Sequence, residues 1–472
     1  MQYSGKVAAM KPQDVLAQLW RLTDLPQQAL GQVSLTGDDP VLPSSFYVGT
    51  AAQTSIAAAA LAACELGHLR GQPRQHIAVD MAHAALECSG WFSLDGRVPD
   101  IWDKFSGLYR CNDGWVRVHA NFAHHRDGAL RLMGLNPATA SRADAEQAML
   151  AWSAFAFETA AASAGLVVAA ARSFDEWDAH PQGQAIAAQP LMHFERIGDA
   201  APRALLKIST KQLPLAGLRV LDLTRILAGP VAGRMLAGLG ADVMLVNSPH
   251  LPNIASIADT SRGKLSCHLD LKAPAGVHRL QTLAAQAHVF VQGYRPGGVD
   301  ALGFSPQQLA ALNPGMVVVS LSAYGTQGPW AQKRGFDSLV QTATGFNLAE
   351  MQAETEVKGA SAPKALPMQI LDYATGHLMA FAAAAALHRQ QREGGSWLVR
   401  VSLAQTGAWL RAMGRVAHGF GISPPAREPF VETSDSGFGQ LQAIRPSARL
   451  ERTTVVWQRP SMPPGSHPAI WP

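Results

Sequence analysis

The chain has 472 residues, 47% of them hydrophobic and 16% charged, which is ordinary globular composition with enough apolar mass for about two or three domains. Its formal net charge is only +4, and the basic residues are scattered, with no Lys/Arg block and no basic stripe interleaved with aromatics, so nucleic acid is not an expected partner. Four cysteines (Cys64, Cys88, Cys111, Cys267) show neither paired nor metal-type spacing, which points to a reducing compartment and no metal site. The start, Met1-Gln2-Tyr3-Ser4-Gly5-Lys6, lacks a signal-peptide core, and the apolar runs are alanine-rich and interrupted, too weak to span a bilayer. The expectation is a cytoplasmic protein.

In chain order, residues 1–88 read as helical. Residues 89–205 read as a small α+β domain. In it, Gly107–Cys111 and Trp115–Ala120 form a hairpin across the turn Asn112-Asp113-Gly114. Helical stretches are expected at Arg126–Met133 and Ala143–Ala162, a strand at Gly165–Ala170, and a further helix from Phe174. The adjacent His124 and His125 cannot share a helical face in the zinc-protease manner, so a turn or surface role is expected for them. Trp91, Trp102 and Phe105 read as small-domain core or as a lid over a ligand.

Near Lys211–Leu215 the pattern changes to an open α/β layer, the core of a unit spanning 206–422. Leu218–Leu223 is a strand, Pro230 a first helical residue, Gly240 the stop, and Val243–Val246 a buried strand: a βαβ unit of a parallel sheet. Val289–Val291, the helical Pro306–Leu312 and the strand Met316–Leu321 continue the alternation. The turn Leu227-Ala228-Gly229-Pro230-Val231-Ala232-Gly233 is no Gly-x-Gly-x-x-Gly, so a nicotinamide cofactor is poorly supported. From about Ser423 the chain is Pro- and Ser-rich, and 423–472 is expected to be an extended, surface-wrapping tail.

Asp372 stands in Leu371-Asp372-Tyr373-Ala374-Thr375-Gly376, ahead of the alanine-rich run Leu378–Leu387. There it can serve as a helix cap, or as an ionised nucleophile favoured by the helix start. Thr50–Glu87 and Asp372–Trp409 also align without a gap. Each holds an alanine-rich helix, a basic Gly-containing turn, a strand and a further helix, and Thr50 stands where the second copy has Asp372.

An ordered series of motifs resembles the family III CoA-transferases, the group of formyl-CoA transferases, carnitine CoA-transferases and α-methylacyl-CoA racemases. It runs through Leu215–Arg225, Ala228-Gly229-Pro230, Gly240–Val243, Arg262–Ser266, Leu269–Lys272 and Gly293-Tyr294-Arg295-Pro296-Gly297. It continues through Leu312-Asn313-Pro314, Tyr324–Pro329 and Gly335-Phe336-Asp337 to Asp372–Gly376. The resemblance implies an open Rossmann-like parallel sheet beside a small α+β domain. It also implies a homodimer acting on acyl-CoA and carboxylate substrates, with no permanently bound cofactor. Asp372 would be the nucleophile, passing through an aspartyl–CoA thioester. By motif position, Arg225, Leu227, Ala228, Arg262, Lys264 and Arg295 would contact CoA. Racemase members place a His in a Gly-His-Asp stretch; with Phe336 in that place, transfer is favoured over racemisation, and Asp337 reads as structural. A catalytically silent CoA-binding protein is a further alternative.

The order of parts departs from the family. Residues 1–88 resemble a degenerate partial copy of the large domain, followed by a small domain and return segment, and only then by the α/β layer. Since relatives form interlocked dimers, this order leaves open whether one chain or two complete a site.

Overall fold

The computed structural model describes residues 10–295, 297–359 and 361–472. The Met1–Lys6 start and Pro296 of the Gly293–Gly297 motif lie outside them. The centre of the molecule is a seven-stranded sheet. Its spatial order is Leu265–His268, Asp242–Asn247, Arg219–Leu223, Val289–Gln292, Val317–Ser322, Ser396–Ser402 and Met192–Gly198. The first six strands are parallel; the last, contributed by the earlier half of the chain, is antiparallel to Ser396–Ser402.

The strands read as near-continuous apolar runs because both faces are covered. Val289 and Val291 enter the core on one face and Phe290 that on the other; Val317, Val319 and Val318 divide in the same way. Helices Pro274–Ala284 and Pro306–Leu312 cover the second face. The first face receives Ala228–Gly238 and the 24-residue helix Ile370–Glu393. That helix is long and apolar enough to cross a bilayer, against the expectation of runs too weak to do so, but its apolar window is wholly buried inside the protein. It packs along the Val48–Leu69 helix on one side and along Ala228–Gly238 on the other.

Small residues permit these approaches. A Cβ on Gly376 would sit 2.5 Å from the carbonyl oxygen of Ala228 and 2.8 Å from the Val231 side chain.

The small domain is the sheet Gly107–Arg110, Trp115–Val118, Val168–Ala170 with helices around it. The stretch expected to be one helix over Ala143–Ala162 is two, Arg142–Met149 and Ala154–Ser163. The break occurs where Asp113, in the hairpin turn, accepts from the Ser153 hydroxyl at 2.6 Å and the Ala154 amide at 2.8 Å, starting the second helix.

Two further expectations are corrected. The described part of 1–88 contains strands as well as helices: Val33–Thr36 and Ile77–Asp80 pair in parallel, and Ala448–Leu450 joins them antiparallel. The stretch from Ser423 is likewise more than a surface-wrapping tail, since Val431–Ser436 and Gly439–Ile444 form a hairpin that adds to Phe92–Leu94. Beyond it the chain straps the free edge of the large sheet. The His467 amide donates to the Ser266 carbonyl at 2.9 Å, and the Ser266 amide donates to His467 Nδ1 at 3.0 Å. Unpaired edge groups are thereby satisfied.

Gly376→Ala gains helix propensity of about 1 kcal/mol but forces a methyl against backbone and a β-branched side chain, neither of which can rotate away. The expected result is a net loss on the order of 1–2 kcal/mol in denaturant unfolding. An unchanged or raised midpoint would show that the two helices are less tightly packed than this geometry requires.

Candidate active site

From its central pair, Arg219–Leu223 and Val289–Gln292, the strand order runs outwards in both directions. Ligands in open α/β sheets bind at the carboxyl ends of such a pair, where the loops diverge. A cavity of about 450 Å³ opens there. Its floor is Leu223, Gly293, Leu321 and Ser322; its walls include Arg225, Ile226, Tyr294, Arg295, Lys333, Arg334 and Phe336, and Phe122, His124 and His125 come across from the small domain.

The loop leaving the first strand is tightly specified. Asp222 accepts from the Thr224 amide at 3.0 Å and its hydroxyl at 2.5 Å, which turns the chain at once. Ile226 then adopts φ +74°, a conformation costly for a β-branched residue and most often found where function needs it. Two residues later Ala228 opens its helix, close enough to Asp372 that its amide favours the ionised carboxylate.

Asp372 lies in the first turn of Ile370–Glu393 and is 7% exposed. Its own amide donates to Asp337 Oδ2 at 2.8 Å. Asp337, fully buried, opens the Asp337–Ala343 helix beside Phe336 and also accepts from Gln341 Nε2 at 2.5 Å. It thus caps the Asp372 helix, a structural role as expected. Burial pushes the Asp337 carboxyl up to about 7, although the amides of Asp372 and Leu371, the Gln341 side chain and the charge of Arg117 all favour its ionised form. Burial, and then the negative charge of Asp337, raise Asp372 above the ordinary carboxylate range; the Ala228 amide works the other way. Ile226, two residues before Ala228, and Phe336, next to Asp337, both line the cavity, so Asp372 lies behind that wall.

Among the described residues the cavity lining has four cations and no acidic side chain. Lys333 is paired with Glu158 at 2.9 Å, and Arg225 donates to the Pro252 carbonyl. Arg295 has no ion pair among the described residues. Burial and the nearby charge of Arg295 both push the Arg334 guanidinium down. Arg225, Arg295 and Arg334, three guanidiniums with no ion pair among the described residues, face one opening and favour an anionic ligand such as phosphate or carboxylate. A second cavity of about 470 Å³ shares Arg295, Lys333 and Arg334 with the first.

Of the residues expected to contact CoA, Arg225 and Arg295 reach the cavity, while Leu227 and Ala228 lie at the helix start behind it. Arg262 and Lys264 do not reach it. Arg262 is buried between Asp259 and Glu432, with the Trp457 ring 3.8 Å away. Lys264 is 0% exposed and donates to Asp222 at 2.9 Å and to the Pro230 carbonyl at 2.8 Å. Both charges are spent inside the protein, and that of Lys264 pins the strand-to-helix turn that carries Ala228.

Lys333 and Arg334 were legible only as neighbours of Gly335-Phe336-Asp337, and nothing local marked Phe122 or His125 as cavity residues. The His pair, expected in a turn or surface role, lies in the first turn of the Ala123–Leu132 helix and on the cavity wall. Burial, then the charges of His124 and Arg334, lower His125 to about 4, so it is neutral near pH 7. His119 stacks on Phe336 with ring centroids 4.1 Å apart, held neutral chiefly by burial. Of the three aromatics left between core and lid, Phe105 is in the small-domain core and Trp102 meets His119 edge-on; Trp91 lies under Arg427.

The sequence pattern of CoA-transferase family III matches residues 215–429, the segment that supplies six of the seven strands of the sheet and carries Asp372. The chain carries a family III CoA-transferase domain. It is similar to a probable fatty acyl-CoA transferase of Mycobacterium tuberculosis, 33% identical over 43% of this chain and 54% of that one. It is similar to an acyl-CoA transferase of Gibberella moniliformis, 28% identical over 79% of this chain and 72% of that one. A succinate–glutarate CoA-transferase of Agrobacterium fabrum is 31% identical over 45% of this chain and 57% of its own length. Among solved structures, a CaiB/BaiF family protein from Brucella suis is 27% identical over 49% of this chain and 65% of that one, with a TM-score of 0.38. The chain thus spans about half the length of the first of these relatives.

Lys264→Ala would leave Asp222 buried and unpaired, at a cost of about 3–5 kcal/mol in denaturant unfolding. Arg334→Ala would change stability by no more than ~0.5 kcal/mol and weaken the binding of an anionic ligand, probed with coenzyme A, about tenfold. The reverse pattern, with Lys264→Ala stable but defective in binding, would return Lys264 to the ligand site.

Proposed function

We propose that the protein is a CoA-transferase that moves CoA from an acyl-CoA donor to a carboxylic acid acceptor, with Asp372 as the nucleophile. The observation that carries this reading is a buried carboxylate at a helix start, favoured as the anion by the Ala228 amide and set behind one wall of a cation-lined cavity at the sheet's switch point. The names of its relatives agree with the reaction class. All four cysteines are free, buried thiols, in keeping with work in a reducing cytoplasm.

The Asp372 carboxylate attacks the thioester carbonyl, expelling CoA thiolate and forming an acyl–aspartyl anhydride. The thiolate then attacks the aspartyl carbonyl, releasing the donor acid and leaving aspartyl–CoA thioester. The acceptor carboxylate repeats the two steps in reverse, so that Asp372 is regenerated and the acceptor leaves as its CoA thioester. A carboxylate suits this task because each intermediate keeps an activated acyl group. Amides at the two helix starts are candidate donors to the oxyanion that forms in each attack. Arg295 and Arg334 would hold the phosphates of CoA.

Incubation with an acyl-CoA, quenching and hydroxylamine trapping should yield a modified peptide containing Asp372, absent in Asp372→Asn. Transfer at the wild-type rate by Asp372→Asn would refute the nucleophile.

Asp372 attacks only as the anion. Because burial and the charge of Asp337 raise its pKa, transfer should increase with pH as Asp372 ionises. Asp337→Asn keeps a side-chain oxygen for the Asp372 amide and removes the like charge. The acidic limb of the kcat–pH profile should therefore move to lower pH. A limb that stays in place would mean that the two carboxyl groups do not interact in this way.

A further inference from the structure

The two aligned segments have the same three-dimensional plan. Val48–Leu69 and Ile370–Glu393 pack against each other as the central helix pair. Each is followed by a strand, Ile77–Asp80 or Ser396–Ser402, and a helix, Met81–Ser89 or Leu403–Ala412. Asp80 and Ser402, which the gapless alignment superposes, both cap that helix, accepting from the amides of His83 and Gln405. Each strand has a parallel neighbour on one side, Val33–Thr36 or Val317–Ser322, and an antiparallel one on the other. The antiparallel strands are exchanged: Met192–Gly198, from the earlier half, completes the later sheet, and Ala448–Leu450, from the later half, completes the earlier one.

What each repeat lacks, the other retains. The first stops at three strands and has no counterpart, among the described residues, of the layer from Arg219 to Gln292. The second has only the hairpin Val431–Ile444 where the first has the small domain. Thr50 spends both its amide and its hydroxyl on Asp39 Oδ2, each at 2.8 Å, and has no carboxylate. Asp372 gives only its amide to Asp337 and keeps its carboxylate. The cavity beside Asp372 is closed by Phe122, His124 and His125 of the first repeat.

We propose that the first repeat is a built-in partner, whose small domain completes in cis the one site carried by the second repeat, so that a single chain holds a single complete site and needs no second copy. The proposal rests on the reading of Asp372 as nucleophile for its activity arm, but not for its binding arm. Phe122→Ala/His125→Ala removes the first-repeat wall, and Asp372→Asn the nucleophile; each is expected to lower transfer about tenfold or more. Mixed, they should give only the average of the two parent rates. A mixture that recovers activity above that average would overturn the proposal, because one chain would then be completing another's site. Binding is read separately, by calorimetry with coenzyme A alongside sedimentation. Retained CoA binding by the single chain supports the proposal; binding that is lost as chains dissociate overturns it. If no acyl-CoA supports transfer by the wild type, the transferase reading fails while the binding arm still decides the cis arrangement.

Discussion

The buried length of Ile370–Glu393 is the constraint on which the rest of the structure depends. A helix apolar along its length must be covered on every side, and here the Thr50 helix, the Ala228 helix and the sheet do so. Alanines and Gly376 let backbones approach closely enough to exclude water along the contact. That close approach brings the amide of Ala228 to the first turn of the long helix, and so to Asp372. The site is a consequence of how the core closes.

Two carboxyl groups placed together in that core oppose one another electrostatically. Asp337 satisfies the open amides at the start of the Asp372 helix, which an acidic group does well. Its charge also discourages Asp372 from ionising, and burial discourages both. The same contact therefore stabilises the helix start and holds the Asp372 carboxylate, proposed here as nucleophile, poorly solvated, the condition in which a carboxylate is most reactive once ionised. Lys264 and Asp222 play the opposite part below it, where a paired buried charge fixes the turn before Ala228.

Local sequence carried much of this. The strand-helix alternation from 215 onwards, the hairpin around Asn112-Asp113-Gly114 and the equivalence of the Thr50 and Asp372 segments follow from periodicity and turn chemistry, which act over a few residues. The choice among the cations did not. Arg262, Lys264, Arg225 and Arg295 occupy similar motif positions, yet two are spent on buried carboxylates and two face the cavity. Asp259 and Glu432, which neutralise Arg262, lie 3 and 170 residues away in the chain, and no local pattern links a cation to a distant acid. The hairpin within the expected tail was missed for a related reason: its first strand, Val431–Ser436, is polar, and its second pairs against Phe92–Leu94, so tertiary contact rather than propensity decides them.

The sequence by itself determined the α/β layer, the place of Asp372 at the head of an alanine-rich helix, and the presence of one such carboxylate in two otherwise similar segments. Those are properties of neighbouring residues, written in spacing and composition. Only the tertiary structure decided which guanidiniums stay unpaired, that Asp337 lies against Asp372, and that the wall over the cavity comes from the other repeat. Each of those depends on residues far apart in the chain, brought together by the burial of apolar helices and by strands exchanged between two sheets.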